Sequence, residues 1–532
     1  MSFRSITKRS VGLAAALILT STGAFAENVT LRSLDGSVSM GGELVSFDGT
    51  YYVLKSALGQ VQILAVEVVC EGEFCPDLSG TDFRLAGSST IAQVLLPSLF
   101  LDFSGGYNLN LSVGDASVLD GVPVQQYLFE HDNGDIFADV EIHSQGSEAA
   151  FASLLDGSAE IALSSRAITA PELADFAAED LGDLTDSSNQ VVAALDGLVV
   201  IVPPENDLPS LSMAELTQIF AGRITNWSQL GGANAPINTY RRDDASGSAH
   251  DFAQVVLNPA GAGFTNSSKA FTDDISLVRA VMNDPNGIGF TSIAYQQDSR
   301  ALPLRGTCGF LSTPTEFTVK TGEYPLSRRV YLYTTDRMYG SISKERSDKA
   351  MGFMAFVQSE AGQNAAEQSG FVSQLVSTLP ISIQGQRMVN TMIADPGDLP
   401  FADIREMVAA LSGGERLSTT FRFKPSVAEL DAQARGDIPR LAAYLLANDL
   451  GGKEILLAGF SDAEGGAPQN ATLSQRRAQQ VLDELRAALG ADAGKFKFVV
   501  EGFGEVSPQG CNDSALGRSV NRRVEVWIRE AL

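Results

Sequence analysis

The chain runs to 532 residues, too many for one hydrophobic core, so two to four domains are expected. Its formal net charge is −26, with 19% charged and 44% hydrophobic residues. That balance fits folded domains rather than an acidic disordered chain, and it argues against nucleic acid or an anionic membrane surface as a partner. A small anion stays open, because local donors govern a site.

The first 26 residues read as an export signal. Arg4, Lys8 and Arg9 form a basic start, Val11 to Thr20 an apolar stretch, and Ala24-Phe25-Ala26 a small-x-small cleavage pattern. The apolar run is short for a bilayer span, so cleavage before Glu27 is expected; losing three basic residues takes the charge from −26 to −29. No cysteine stands near the cleavage point, which argues against a lipid anchor, and no later stretch reads as a membrane span. A soluble, exported chain is the expectation.

Residues 27–80 alternate as strands at Val29 to Arg32, Glu43 to Phe47, Tyr51 to Leu54 and Val61 to Leu64, with turns at Asp35-Gly36 and Asp48-Gly49. This is a small β module without a legible function. In an oxidising compartment Cys70 and Cys75, with four residues between them, are placed to bridge across a turn. Cys308 and Cys511 are left over, with an interdomain bond between them open. No paired CxxC exists, and His131, His143 and His250 are scattered, so no metal or other cofactor is expected.

From 81 to about 375 strands alternate with helices. A strand from Phe83 precedes a helix from Ile91 to Phe100, and Val140 to His143 precedes one from Glu148 to Leu155. Ile161 to Leu163 and Leu198 to Val202 are short buried strands. Ile237 to Tyr240 leads through a turn to a helix around Phe252 to Leu257. A two-lobed α/β domain follows. Residues 376–414 form a connector with helices at Arg387 to Ala394 and Phe401 to Leu411, punctuated by Pro396-Gly397 and Gly413-Gly414. Residues 415–532 alternate again: strand Thr419 to Phe423, helix Ile438 to Ala447, strand Ile455 to Phe460, helix Ser474 to Leu489, and strands Lys497 to Glu501 and Val524 to Ile528.

Three hydroxyl clusters stand just ahead of predicted helices: Ser88-Ser89-Thr90, Ser147 and Ser246-Gly247-Ser248. Unpaired N–H groups at helix starts, with hydroxyls beside them, suit an oxyanion if the three converge. Arg242 adds a guanidinium fork, with Asp244 placed to hold it. For any one cluster alone, ordinary N-capping is the favoured reading; the arginine beside a glycine turn shifts the balance toward a site. The acidic pairs Asp243-Asp244 and Asp273-Asp274 read as solvated turns, and no histidine stands in a hydrolytic relation to the serines, so an enzyme is not expected.

The stretches Asp156 to Arg166, Leu195 to Val202, Leu211 to Trp227 (ending Ile224-Thr225-Asn226-Trp227), Gly287 to Phe290 and Glu323 to Arg328 resemble the PstS-type phosphate-binding protein family. The resemblance covers about 81–375 and implies a two-lobed periplasmic binding fold (type II) that closes over its ligand and serves an ABC transporter permease. It places Thr90, Ser147, Arg242, Ser246, Gly247 and Ser248 at positions that contact phosphate, with Ser89 beside them. Where phosphate-specific relatives carry an aspartate that accepts the ligand's proton, this chain has Ser165, followed by Arg166 in the cleft or on the surface. That departure leaves sulfate or an organic phosphate open beside phosphate.

At the other end, Asp462 closes a predicted strand and Arg477 lies one turn into the predicted helix, a pair suited to the two charges of a zwitterion or to a plain strand–helix salt bridge. Asp462 with Asn470, Leu473-Ser474, Arg477-Ala478, Gly502 to Glu505 and Asn521 to Val524 resemble the OmpA-like peptidoglycan-binding family over about 415–532, an α/β sandwich. The resemblance implies binding of the diaminopimelate stem peptide, Asp462 taking the ammonium and Arg477 the carboxylate. A periplasmic oxyanion-capture protein held on peptidoglycan is the functional expectation; an envelope scaffold or sensor without a transport role is the alternative.

Overall fold

The computed structural model describes residues 28–531 except 34–37, 48–50, 57–58, 65–67, 73–74, 76–80, 340–343, 394–400, 428–429 and 431. The expected signal at 1–26 and the expected turns at Asp35-Gly36, Asp48-Gly49 and Pro396-Gly397 lie outside the described residues. Residues up to Gly80 and residues Thr81–Leu532 are separate compact units.

The amino-terminal unit is an antiparallel sheet of five strands, in the order Gly59–Leu64, Tyr51–Ser56, Ser39–Phe47, Asn28–Ser33, Val68–Glu71. Alternation puts Val29, Leu31, Tyr52 and Leu54 on one buried face. Cys70, in the last strand, is bonded to Cys75.

The second unit is built around Gln190–Val202, whose apolar run is buried over most of its length. Its first half pairs antiparallel with Ser327–Tyr333, and its second half pairs with Gly287–Ser292. Beyond Ser327–Tyr333 lie Ile161–Ser164, Phe83–Gly87, Ile136–Ser144, Val122–Glu130 and Asn110–Val113; beyond Gly287–Ser292 lie Asn238–Arg242 and Lys269–Phe271. One long strand and its antiparallel partner therefore join two lobes with separate cores. The first core packs Phe100, Phe103, Phe129 and Phe353 together, the second Phe220, Phe252 and Phe290.

The carboxy-terminal sheet runs Thr378–Pro380, Glu415–Arg422, Arg523–Arg529, Glu454–Phe460, Lys497–Gly502. Helices Ala432–Ala447 and Ala467–Leu489 cover one face, burying Leu441, Leu445, Val481 and Leu485; helix Phe401–Leu411 covers the other, where Met407 and Leu411 pack with Trp527. The expected connector thus supplies both an edge strand and a cover helix. The helix expected from Ser474 starts at Ala467, because Pro468 in the first turn has a preset φ and no N–H to leave unpaired. Arg477 consequently lies in the third turn, not the first.

This domain is joined to the second lobe. Cys308 and Cys511 form a disulfide, Arg416 pairs with Glu323 at 2.7 Å, and Arg422 donates to the Thr321 carbonyl at 2.5 Å. Among the described residues no helix is long and apolar enough to cross a membrane.

Candidate functional site

The strands of each lobe end at the junction between them, and the hydroxyl clusters follow those ends. Ser89 and Thr90 open the helical stretch after Phe83–Gly87; Ser147 opens helix Ser147–Asp156; Ser165 follows Ile161–Ser164. These belong to the first lobe. Arg242 ends a strand of the second lobe, and Ser246 stands before helix Gly247–Phe252, accepting from the Ser248 N–H at 3.2 Å. Gly146 has φ 93°, a conformation that favours glycine, and a Cβ there would meet the Ala245 carbonyl oxygen at 2.6 Å.

Contacts across the lobes define the site. Arg242 donates Nη2 to Ser89 Oγ at 2.9 Å and Nη1 to Thr90 Oγ1 at 3.0 Å. Ser147 Oγ accepts from the Ser165 N–H at 3.1 Å and lies 3.2 Å from Ser165 Oγ. Gly247 faces this pair so closely that a Cβ would come within 2.6 Å of both hydroxyls. Ser248 Oγ accepts from Arg328 Nη2 at 2.9 Å. Apart from the half-buried Arg328 these residues are buried, so the lobes stand closed over a cage of hydroxyls and main-chain N–H groups with a guanidinium in its wall.

Three expectations are corrected here. The acid that holds Arg242 is Asp274, which forms an ion pair with its Nη1 and accepts from Thr90 Oγ1 at 2.7 Å and Thr291 Oγ1 at 2.8 Å. Asp244 turns outward to Arg241 at 2.6 Å. Asp274 is consequently buried, not part of a solvated turn; its neighbour Asp273 caps helix Asp274–Met282. Arg166 is neither a free cation in the cleft nor a surface residue: it grips both carboxylate oxygens of Glu172 at 2.8 and 2.6 Å and packs over Phe151. Burial opposes its charge, but Glu172 more than offsets this and raises its pKa.

Sequence reasoning also passed over Arg328 and Asp196, which pair at 2.8 Å behind Ser248. Both stand inside stretches that carry the family resemblance, which was the available signal. One turn along from Ser248, Asp251 has its carboxyl pushed up to about 6 by burial, against the pull of Arg328.

In the carboxy-terminal domain Asp462, Asn470 and Arg477 are all buried. Asp462 pairs with Arg522 at 2.6 Å rather than with Arg477, which corrects the expected strand–helix pairing. Asn470 donates to Glu505 at 3.1 Å. Arg477 donates Nε to the Val427 carbonyl at 2.9 Å and Nη2 to that of Lys424 at 3.0 Å, leaving Nη1 without a hydrogen bond. Burial brings its pKa down to about 10, with Asp462 pulling the other way. Among the described residues no group of three or more His, Cys, Asp or Glu is placed to hold a metal ion.

Two lobes joined by a shared strand pair, with donors from both meeting at the junction, define the class of hinged binding proteins. The chain belongs to the PBP superfamily domain family, whose model matches residues 79–361; a model of the OmpA family matches residues 422–522. Among known proteins, the phosphate-binding protein PstS of Borreliella burgdorferi is 27% identical over 239 residues, 44% of this chain and 79% of the relative. PstS of Bacillus subtilis is 29% identical over 224 residues, 41% of this chain and 67% of the relative. The solved structure of a putative phosphate ABC transporter substrate-binding protein with bound phosphate from Clostridium perfringens is 22% identical, with a TM-score of 0.41, covering 55% of this chain and 98% of that one.

Proposed function

We propose that this protein captures phosphate or a similar tetrahedral oxyanion and is held on peptidoglycan by its carboxy-terminal domain. The observation that carries the reading is the meeting of Ser89, Thr90 and Arg242 with Ser147, Ser165 and Gly247 across two lobes in one buried place. Ser89, Thr90, Ser147, Ser165, Ser246, Gly247 and Ser248 supply neutral donors and Arg242 the charge, an arrangement that holds an oxyanion without a metal. The names of the PstS relatives support phosphate as the cargo. Lobe closure removes the anion from water and presents a closed shape to a partner such as an ABC transporter permease in the periplasm. On this reading residues 1–26 direct export, 27–80 form an accessory module, 81–375 bind the anion, and 376–414 lead to the wall-binding residues 415–532. Capture and release are its whole task, with no bond made or broken.

Isothermal titration of the mature protein with phosphate, sulfate and a phosphate ester tests the cage. Binding of at least one is expected, and it is lost in Arg242→Ala; the same affinity in that variant rejects the site. For the wall-binding site, Asp462 and Arg477 take the ammonium and carboxylate of the diaminopimelate stem peptide, with Asn470 beside them and Arg522 holding Asp462 until the ligand arrives. Sedimentation with purified sacculi is expected to retain the wild type and release D462A/R477A. Equal retention of both rejects that assignment.

A further inference from the structure

Beyond the cage, a cavity of about 480 Å³ lies between the strands that join the lobes and the carboxy-terminal sheet. Leu195, Leu198 and Leu326 give it an apolar wall on the hinge side. Six basic side chains line it, Arg166, Lys320, Arg328, Arg329, Arg422 and Arg440, against the two carboxylates of Asp251 and Asp437, in a chain of net charge −26. Three of the six are matched from behind: Arg166 by Glu172, Lys320 by Glu316 and Arg328 by Asp196.

Of the other three, two share a single carboxylate and one has none among the described residues. Asp437 is shared between Arg440 at 2.8 Å and Arg329 at 4.0 Å. Arg422 has no carboxylate within ion-pair distance among the described residues; it donates to the Val520 and Thr321 carbonyls, and burial brings its pKa down to about 9. Among the lining residues Ser327 Oγ is buried without a hydrogen bond, and Arg328 Nη1 and Asp251 Oδ2 are met only by each other, as a long ion pair at 3.5 Å. Such groups are costly to bury unless something meets them. A cavity of this size, mostly apolar on one side and carrying surplus cations on the other, has the make-up of a small-molecule site.

We propose that this cavity is a second binding site, for a small organic anion carrying two or more carboxylate or phosphate groups. Arg422 and the Arg329–Arg440 pair take the charged groups, and Leu195, Leu198 and Leu326 receive the carbon skeleton. Because the walls include both hinge strands, and Arg328 reaches from the cavity to Ser248 of the cage, occupancy of one site changes affinity at the other by a reciprocal factor. The site itself does not depend on what the cage binds.

The test is calorimetry on the full mature chain in phosphate-free buffer, with citrate as the carboxylate probe and inorganic pyrophosphate as the phosphate probe. At least one is expected to bind with one-to-one stoichiometry and to bind about tenfold or more weakly in Arg440→Glu and Arg422→Gln. Arg440 has a 37% exposed side chain, so R440E reads out the site even where R422Q fails to fold. A folded R242M/D274N variant, neutral at the buried pair of the cage, is expected to keep the probe. Absence of binding by both probes, undiminished binding in R440E, or loss in folded R242M/D274N overturns the proposal.

Discussion

Asp251 shows how burial sets chemistry at a single residue. Its folded pKa of about 6 stands above the ordinary 3.8, so the folded protein holds this proton more tightly than the unfolded chain. Its contribution to stability is complete below about pH 3.8 and is lost as pH rises through about 6. Urea unfolding of wild type and Asp251→Asn at pH 4 and pH 7.5 checks this: the stability of wild type relative to the variant is expected to be lower at the higher pH. A pH-independent difference rejects it. The residue scale also marks the limits of reading from sequence. Arg242, Ser147 and the Ser246-Gly247-Ser248 turn stand out because hydroxyls and a glycine ahead of helices have a physical reason to be there. The acid that answers Arg242 does not, because Asp274 is 32 positions away and follows another aspartate in a segment that looks like a solvent-facing turn. The capture of Asp462 by Arg522, 60 positions apart, was hidden for the same reason.

The elements around the cage depend on close approach between lobes. Helix Gly247–Phe252 begins against Ser147 and Ser165, and only the missing side chain of Gly247 leaves room for the contact. Gly247→Ala is therefore expected to lower oxyanion affinity by at least tenfold, since its methyl fills the space beside both hydroxyls, while far-ultraviolet circular dichroism stays native. Retained affinity would show that this helix start does not face the ligand. Wide helical turns of the i→i+5 kind follow both starts, at Ile91–Leu95 after Thr90 and at Ala253–Leu257 after Phe252. Such turns often mark functional sites; they leave no trace in hydrophobic spacing. By contrast, helix Phe401–Leu411 was legible to its ends, because a long amphipathic run between Pro/Gly breaks offers few alternatives. The early start of Ala467–Leu489 was not, because Gly465-Gly466-Ala467-Pro468 reads as a loop until packing draws it into the helix.

For the molecule as a whole, the strand–helix alternation and the two separated lobes were legible, while the union of the binding fold with the carboxy-terminal domain showed only as an open pairing of Cys308 with Cys511. That union rests on contacts between distant segments: Cys308–Cys511 across 203 positions, Arg416 with Glu323, and Arg422 with Thr321. A bond closing so long a loop is worth about 5 kcal/mol in the chain-entropy account. Removing it in C308S/C511S is expected to lower the thermal midpoint by several degrees and to let the carboxy-terminal domain melt separately, as differential scanning calorimetry reads. An unchanged single transition rejects that role. The covalent staple also has a geometric meaning. A receptor domain leashed to its anchor by slack chain can point its mouth in any direction, whereas here whatever grips the carboxy-terminal domain also sets the heading of the cleft, for as long as the surroundings keep two sulfur atoms oxidised.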